Sequence, residues 1–178
     1  MKFQVVKALF LVVILSFSFS CIDDNDDYTK MIEKWKIDND KYFTNMKDSS
    51  SFKLYNIPVE HGGGSYYYKI INRGDTAAVS PLLTDLVTVN YKGFLIDGTV
   101  FDATYNGTNP LNNPTAKPLE FTVNRLITGW SVNLSQMKPG EVRTIVLPYN
   151  LAYGIYGAGS ILPYSTLRFD INLISIKK

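Results

Sequence analysis

The chain has few side chains that could act as nucleophiles, general bases or metal ligands, because its 178 residues include one histidine and one cysteine. His61 precedes three glycines, and His-Gly-Gly-Gly is typical of the oxyanion loop of some esterases. No Gly-x-Ser-x-Gly sequence occurs in the chain, so a flexible linker explains His61 better. The same scarcity excludes zinc sites and His-based catalytic triads. We expect no cofactor and no metal, and any chemistry must depend on shape and on the removal of water.

Aromatic residues, at 13% of the chain, are the plentiful alternative. They fall in four segments that follow one another along the sequence: "VTVNYKGFLIDGTVFDATY", "PLEFTVNRLITGWSVNLSQMKPGEVRTIVLP", "NLAYGIYGAGSILP" and "STLRFDINLISI". In order and spacing these segments resemble the FK506-binding-protein (FKBP) family of peptidyl-prolyl cis-trans isomerases. The lead-in "YYYKIINRGDTAAVSPLLTDLVTVNY" is similar to that of the infectivity-potentiator-like bacterial members. The resemblance covers about residues 66–178 and implies isomerisation of Xaa-Pro bonds, with macrolides as candidate inhibitors.

This reaction suits a protein that is poor in acid-base groups. Amide resonance sets a barrier of about 18–20 kcal/mol to rotation about the peptide bond, and twisting the bond removes that resonance. A catalyst therefore needs an apolar slot for the proline ring, a dry surround and a few donors for the twisted carbonyl, but no nucleophile and no base. Each preference of about 1.4 kcal/mol for the twisted state speeds the step tenfold.

The resemblance implies a role for each residue that matches the family's motifs. Trp130 would form the floor of the proline pocket, Asp102 would be its single carboxylate, and Tyr153 would donate its hydroxyl to a substrate carbonyl. Phe101 completes the catalytic set. The backbone N–H of Ile127 would serve as a further donor. The matched substrate-binding residues are Tyr91, Leu119, Leu126, Ile127, Ala152, Ile161 and Phe169.

The chain departs from the family's pattern in four places, one of which is a shorter stretch over residues 123–127. Leu119 stands where many members carry an aromatic residue, the segment 105–117 is longer than usual, and Leu162 stands where proline is common, so the choice between Ile161 and Leu162 is open. Leu119, the longer segment 105–117 and a predicted N-terminal helix motivate an alternative function, a proline-segment binding or chaperone module with little turnover.

The elements that must position these residues are mostly strands. The alternating runs are "SYYYKIINRG", "DLVTVNYKG", "LEFTV", "EVRTIVL" and "LRFDINLISI", and between them residues 127, 130, 134 and 137 form one apolar stripe of a short helix over residues 130–137. We expect Gly129 to let the chain turn tightly into that helix. The pattern predicts an α+β domain, in which an antiparallel sheet of five or six strands curls around one short helix.

An N-terminal helical extension precedes this domain. Apolar residues recur at helical spacing over residues 28–46, and the stripe should pack either on the main domain or on a second copy as a homodimer. Residues 28–65 are thus read as a helix and linker, and residues 66–178 as the isomerase domain.

The first twenty residues have the order of a secretory signal: two lysines, an apolar stretch over residues 8–19 and small residues before Cys21. The apolar stretch is too short for a membrane helix, which needs about 20 residues. "SFSC" resembles the lipobox of bacterial lipoproteins and predicts lipidation at Cys21, followed by an acidic tether over residues 21–27.

Removal of residues 1–20 leaves equal numbers of basic and acidic residues, so nucleic acid is not an expected partner. We expect an exported protein, anchored by lipid to the bacterial envelope at the periplasmic or the surface face of the outer membrane. Its expected partners are proline-containing polypeptides.

Overall fold

A computed structural model describes residues 24–111 and 113–177. The predicted signal sequence and lipidation site lie outside these residues. Two α-helices and seven strands make up the regular structure: α1 (Asp24–Asn45), β1 (Lys53–Asn56), β2 (Ser65–Arg73), β3 (Leu86–Phe94), β4 (Val100–Ala103), β5 (Leu119–Thr122), α2 (Thr128–Leu134), β6 (Glu141–Leu147) and β7 (Leu167–Lys177).

The strands form one antiparallel sheet in the order β1-β2-β6-β7-β3-β4, with β5 also paired to β3. The predicted α+β class is confirmed. The sheet has seven strands instead of five or six because the predicted linker contributes β1, where Lys53 pairs with Tyr68 on β2. Four residues are too few to show a clear alternation in the sequence, so the strand conformation of β1 depends on its pairing with β2.

One face of the sheet is buried under α2. Alternate residues of the two longest neighbouring strands are buried there: Val87, Val89 and Tyr91 on β3, and Leu167, Phe169, Ile171 and Leu173 on β7. From α2 and the turn that follows it, Trp130, Leu134 and Met137 meet this face. The alternation seen in the sequence thus marks the core face of both strands.

The short helix is shifted relative to the predicted span of residues 130–137. It ends at Leu134 because the next turn tightens, with Met137 N–H donating to the carbonyl of Leu134 only three residues back. The expected role of Gly129 is wrong, since Gly129 lies inside the helix without a positive φ. A Cβ there would come within 2.5 Å of a methyl group of Leu147, so the glycine allows α2 to pack closely on β6.

Helix α1 begins earlier than expected. It already includes residues 24–27 of the predicted tether, and Asp26 and Asp27 in its first turn complement the positive end of the helix dipole. Within the described ranges, no helix has the length and apolarity required to cross a membrane.

The buried side of α1 packs on the protein's own domain. Trp35 Nε1 donates to Ser165 Oγ over 3.1 Å, Asn39 Oδ1 accepts from the Thr166 N–H over 2.7 Å, and the Phe43 ring lies across β2. The apolar stripe of α1 was expected to pack on the main domain or on a second copy. Trp35, Asn39 and Phe43 pack on the main domain of the same chain.

Candidate active site

A cavity of about 290 Å³ opens at one end of the sheet, above α2. Strands β3, β4, β5 and β7 contribute to its walls, and the segment that leads into α2 closes it. Its lining residues are Tyr91, Phe101, Asp102, Phe121, Arg125, Leu126, Ile127, Trp130, Tyr153 and Phe169.

Edge-to-face aromatic contacts hold the base of the cavity. The Trp130 ring is nearly perpendicular to Tyr91 and to Phe169, with centroids 5.1 Å and 5.3 Å away, and Phe169 meets Phe101 in the same way at 5.6 Å. Such contacts add to the gain from burying the rings and fix their mutual angles. Trp130 is only 4% exposed, so the cavity floor is continuous with the hydrophobic core.

Packing, and not hydrogen bonding, holds the rings of Phe101 and Trp130 in place. Gly93 on β3 leaves room for Phe101, because a Cβ there would lie 2.5 Å from the ring. The indole N–H of Trp130 is buried and has no acceptor among residues 24–111 and 113–177. A buried donor without a partner is costly, so this position uses the size and flat face of tryptophan, not its hydrogen bond.

One carboxylate and two neutral phenols lie at the cavity. The Tyr91 hydroxyl donates to Asp102 Oδ2, and the pKa of Tyr91 is raised by burial first, then by this hydrogen bond and by the negative charge of Asp102. Burial, followed by the same charge, also raises the pKa of Tyr153. Both tyrosines therefore keep their protons and can donate hydrogen bonds at neutral pH.

Two hydrogen-bond donors at the cavity have no partner in the described part of the chain. They are the Tyr153 hydroxyl and the backbone N–H of Ile127, the residue before α2. A carbonyl group entering the cavity would find them free. Asp102 itself is exposed, so water reaches the carboxylate. The site therefore combines an apolar base with a polar mouth.

The cavity brings together most of the residues that the sequence pointed to: Tyr91, Phe101, Asp102, Leu126, Ile127, Trp130, Tyr153 and Phe169. Three predicted binding residues do not line it. Leu119 is 45% exposed on β5, while Ile161 and Ala152 pack against the core. Ile161 is held there by its backbone bonds to Ala158.

Two lining residues were not predicted. Phe121 lies two positions after Leu119 on the same strand, so it shares that face and fills the wall at a 6.4 Å ring separation from Trp130. The run "LEFTV" contained this signal, because alternation places both residues on one side. Arg125 supplies the positive charge of the described lining, and the sequence carried no signal for it.

No group of three or more His, Cys, Asp or Glu side chains that could hold a metal occurs in the portion of the chain that the structure covers.

Comparison with known proteins bears on this site. The model of the family described as "FKBP-type peptidyl-prolyl cis-trans isomerase" matches residues 78–174. "Peptidyl-prolyl cis-trans isomerase Mip" of Coxiella burnetii is 45% identical over 112 residues, which cover 62% of this chain and 44% of that protein. "Outer membrane protein MIP" of Legionella longbeachae is 44% identical over 112 residues, with the same shares of 62% and 44%. The chain thus spans less than half the length of these relatives.

The fold has a similar match among solved structures. The crystal structure of FkpA from Escherichia coli superimposes with a TM-score of 0.68 at 31% identity, covering 86% of this chain and 66% of that one. The family match includes more than half of the chain and every residue that lines the cavity. The chain therefore belongs to the family of FKBP-type peptidyl-prolyl cis-trans isomerases.

Proposed function

We propose that this protein catalyses the cis-trans isomerisation of Xaa-Pro peptide bonds in polypeptides. The observation that carries the proposal is the aromatic cavity with Trp130 at its base and Asp102 at its mouth. Family membership and the name of the Coxiella relative support it. Rotation about an Xaa-Pro bond requires a slot that fits the proline ring and excludes water, and the aromatic lining of the cavity provides both.

The proline ring would rest on the indole face of Trp130, against the paired rings of Phe101 and Phe169. The free donors of Ile127 and Tyr153 would then hold the carbonyl groups on either side of the rotating bond. Rotation places the carbonyl in a new direction, so donors that fit only the twisted form would lower the barrier. Exclusion of water from the aromatic base would disfavour the more dipolar planar amide.

Magnetisation-transfer NMR on a short Xaa-Pro peptide tests this proposal, because it measures exchange without a coupling protease. We expect the purified protein to accelerate exchange, and Asp102→Asn, which keeps the shape and removes the charge, to lower kcat/KM about tenfold, the equivalent of about 1.4 kcal/mol. Asp48→Asn, the same change at an exposed aspartate that does not line the cavity, is the control. A folded protein that leaves the exchange rate at background would refute the proposal.

Binding without turnover remains the alternative outcome of the same experiment. If proline peptides bind with unchanged affinity to Asp102→Asn and to the unchanged protein, and neither accelerates exchange, the protein is a binding or chaperone module. Addition of a macrolide inhibitor shows whether the signal comes from the cavity.

We further propose that Cys21 carries lipid and that the protein acts at the bacterial envelope. The lipobox-like "SFSC" and the name of the Legionella relative, "Outer membrane protein MIP", support this proposal. Metabolic labelling with a radioactive fatty acid should label the protein, and Cys21→Ser should abolish the label. Labelling that persists in Cys21→Ser would contradict it.

In our proposal residues 66–178 form the catalytic domain, and residues 28–65 support it. A homodimer through residues 28–46 stays a prediction. Tyr28 and Met31, which are three residues apart and so lie on one side of α1, are exposed and would supply apolar contacts. Light scattering at high concentration distinguishes the monomer from the dimer.

A further inference from the structure

A second cavity, of about 440 Å³, lies on the outer side of α2, and we name it the helix groove. One wall comes from β1 and the residues that follow it, Tyr55, Ile57 and Pro58. Val132 on α2 and Leu83 in the loop before β3 face them. The groove is larger than the proposed proline cavity and has room for one or two large side chains.

The lining of the helix groove has a definite chemical character. It contains no Asp, Glu, Lys or Arg, and apolar side chains make up its base, with His61, Asn124 and Gln136 among the polar groups. An ionised side chain would lose water there without gaining a partner, which is unfavourable. An apolar side chain would gain from burial, while the polar groups could bond to a peptide backbone. The groove therefore suits an apolar segment of polypeptide.

Continuity with the first cavity points to the source of that segment. Leu126 lines both cavities, and the next residue, Ile127, carries a free backbone N–H at the first one. Both cavities use α2, with Trp130 facing one and Val132 facing the other. The width of a helix is about 10 Å, which an extended chain crosses in about three residues.

We propose that the helix groove binds an uncharged apolar side chain of the same polypeptide whose proline occupies the first cavity, about three residues away along the chain. This inference rests on the proposed function. It assigns the substrate class: unfolded segments in which proline is followed or preceded at short range by a large apolar residue.

Peptides of two lengths test the groove separately from the isomerase activity. A tetrapeptide containing proline fills only the first cavity. Longer peptides carry leucine at two, three or four residues from proline, on either side, and a matched set carries aspartate instead. We expect kcat/KM to be highest for leucine at one spacing near three, mainly through a lower KM, and to return to the tetrapeptide value with aspartate.

Two neighbouring leucines provide a matched pair of variants. Leu83 lines the groove, whereas Leu82 lines neither cavity, and both are more than half exposed, so alanine at either position should leave the fold intact. Each buried methylene is worth about a fourfold change in affinity at 25 °C. Leu83→Ala should therefore lower the ratio of kcat/KM for the long leucine peptide to that for the tetrapeptide about four- to fifteenfold, and Leu82→Ala should leave this ratio unchanged.

The outcomes separate the two proposals. If the tetrapeptide is not isomerised, the proposed function fails, and the groove is tested by peptide binding alone. If the tetrapeptide is isomerised but leucine gives no gain at any spacing, or Leu83→Ala and Leu82→Ala behave alike, the groove does not bind substrate. Slower hydrogen exchange at the Val132 amide as the protein concentration rises, without peptide, would show that a second copy covers the groove. That result would also overturn the proposal.

Discussion

Asn39 links α1 to the rest of the protein, and its replacement tests whether that docking is as tight as the contacts indicate. The side chain is completely buried. Its Nδ2 donates to the carbonyl of Trp35 over 2.8 Å, its Oδ1 accepts from the Thr166 N–H over 2.7 Å, and its own carbonyl accepts from Thr166 Oγ1 over 3.2 Å. Thr166 is 1% exposed, so water cannot replace a lost partner in the native state.

Asn39→Ala removes the acceptor of a buried N–H and one further hydrogen bond. An unsatisfied buried donor costs about 1–3 kcal/mol, and the net loss from the second bond is about 1 kcal/mol. The expected destabilisation of the docked state is therefore about 2–4 kcal/mol. Because α1 is joined to the sheet by a few contacts, we expect this loss first as local undocking of the helix, before global unfolding.

Hydrogen exchange at the Thr166 amide measures this loss directly. A destabilisation of about 2 kcal/mol should speed exchange at this amide about thirtyfold, while amides in β3 and β7 that open only on global unfolding change less. Thr44→Ala is the control, because Thr44 is exposed on the same helix and bonds only to the carbonyl of Asp40. It should change stability by less than about 0.5 kcal/mol. Equal exchange at Thr166 in Asn39→Ala and in the unchanged protein would refute the docking as described.

Three further substitutions test packing under α2, the Tyr91–Asp102 hydrogen bond at the cavity, and the burial of Tyr105. Gly129→Ala should destabilise by about 1–3 kcal/mol in urea unfolding, because its Cβ would overlap Leu147, and Leu147→Val should recover part of the loss; an unchanged midpoint would contradict the packing. Tyr91→Phe removes the donor to Asp102 and should lower kcat/KM in the NMR exchange assay, with the urea midpoint nearly unchanged because that carboxylate is open to water; full activity would show that the hydroxyl is not needed. Burial raises the pKa of Tyr105 to about 12 from about 10, so its contribution to stability is complete below pH 10 and is lost as the pH rises through 12. Tyr105→Phe should give a shallower decline in the free energy of unfolding between pH 9 and 11.5, and equal slopes would count against this assignment.

The parts of the fold that could be predicted are those whose signal is local. Alternation along β3 and β7 marks the buried face because the period of a strand is two, whatever its neighbours are. Strand β1 could not be found in this way, since it has four residues and its order depends on pairing with Tyr66 and its neighbours. The reason for Gly129 could not be predicted either, because the Leu147 side chain that requires a glycine there is 18 positions away in the sequence.

The candidate site follows the same division. Motif resemblance located most of the lining, but it could not decide between Leu119 and Phe121, which share one face of β5. Which of two such residues reaches a cavity depends on how the strand crosses its neighbours, and no local pattern records this. The helix groove left no signal at all, because its walls come from β1, the loop at Leu83 and α2, which only the folded chain brings together.

Helix α2 serves both cavities, so its position must be fixed more firmly than seven residues of helix can achieve alone. A buried network provides this. Arg143 on β6 donates to Asn133 Oδ1 over 3.1 Å and to the carbonyl of Gln136 over 3.2 Å, and its Nε bonds to Glu141 Oε1 over 2.7 Å. A hydrogen bond from a charged group contributes about 1.5–3 kcal/mol, so the two bonds from Arg143 to Asn133 and Gln136 hold the end of α2 on the sheet. A change at Arg143 must therefore disturb the Trp130 floor and the helix groove together, whereas Leu83→Ala acts on the groove alone, and this contrast separates a moved helix from a lost binding contact.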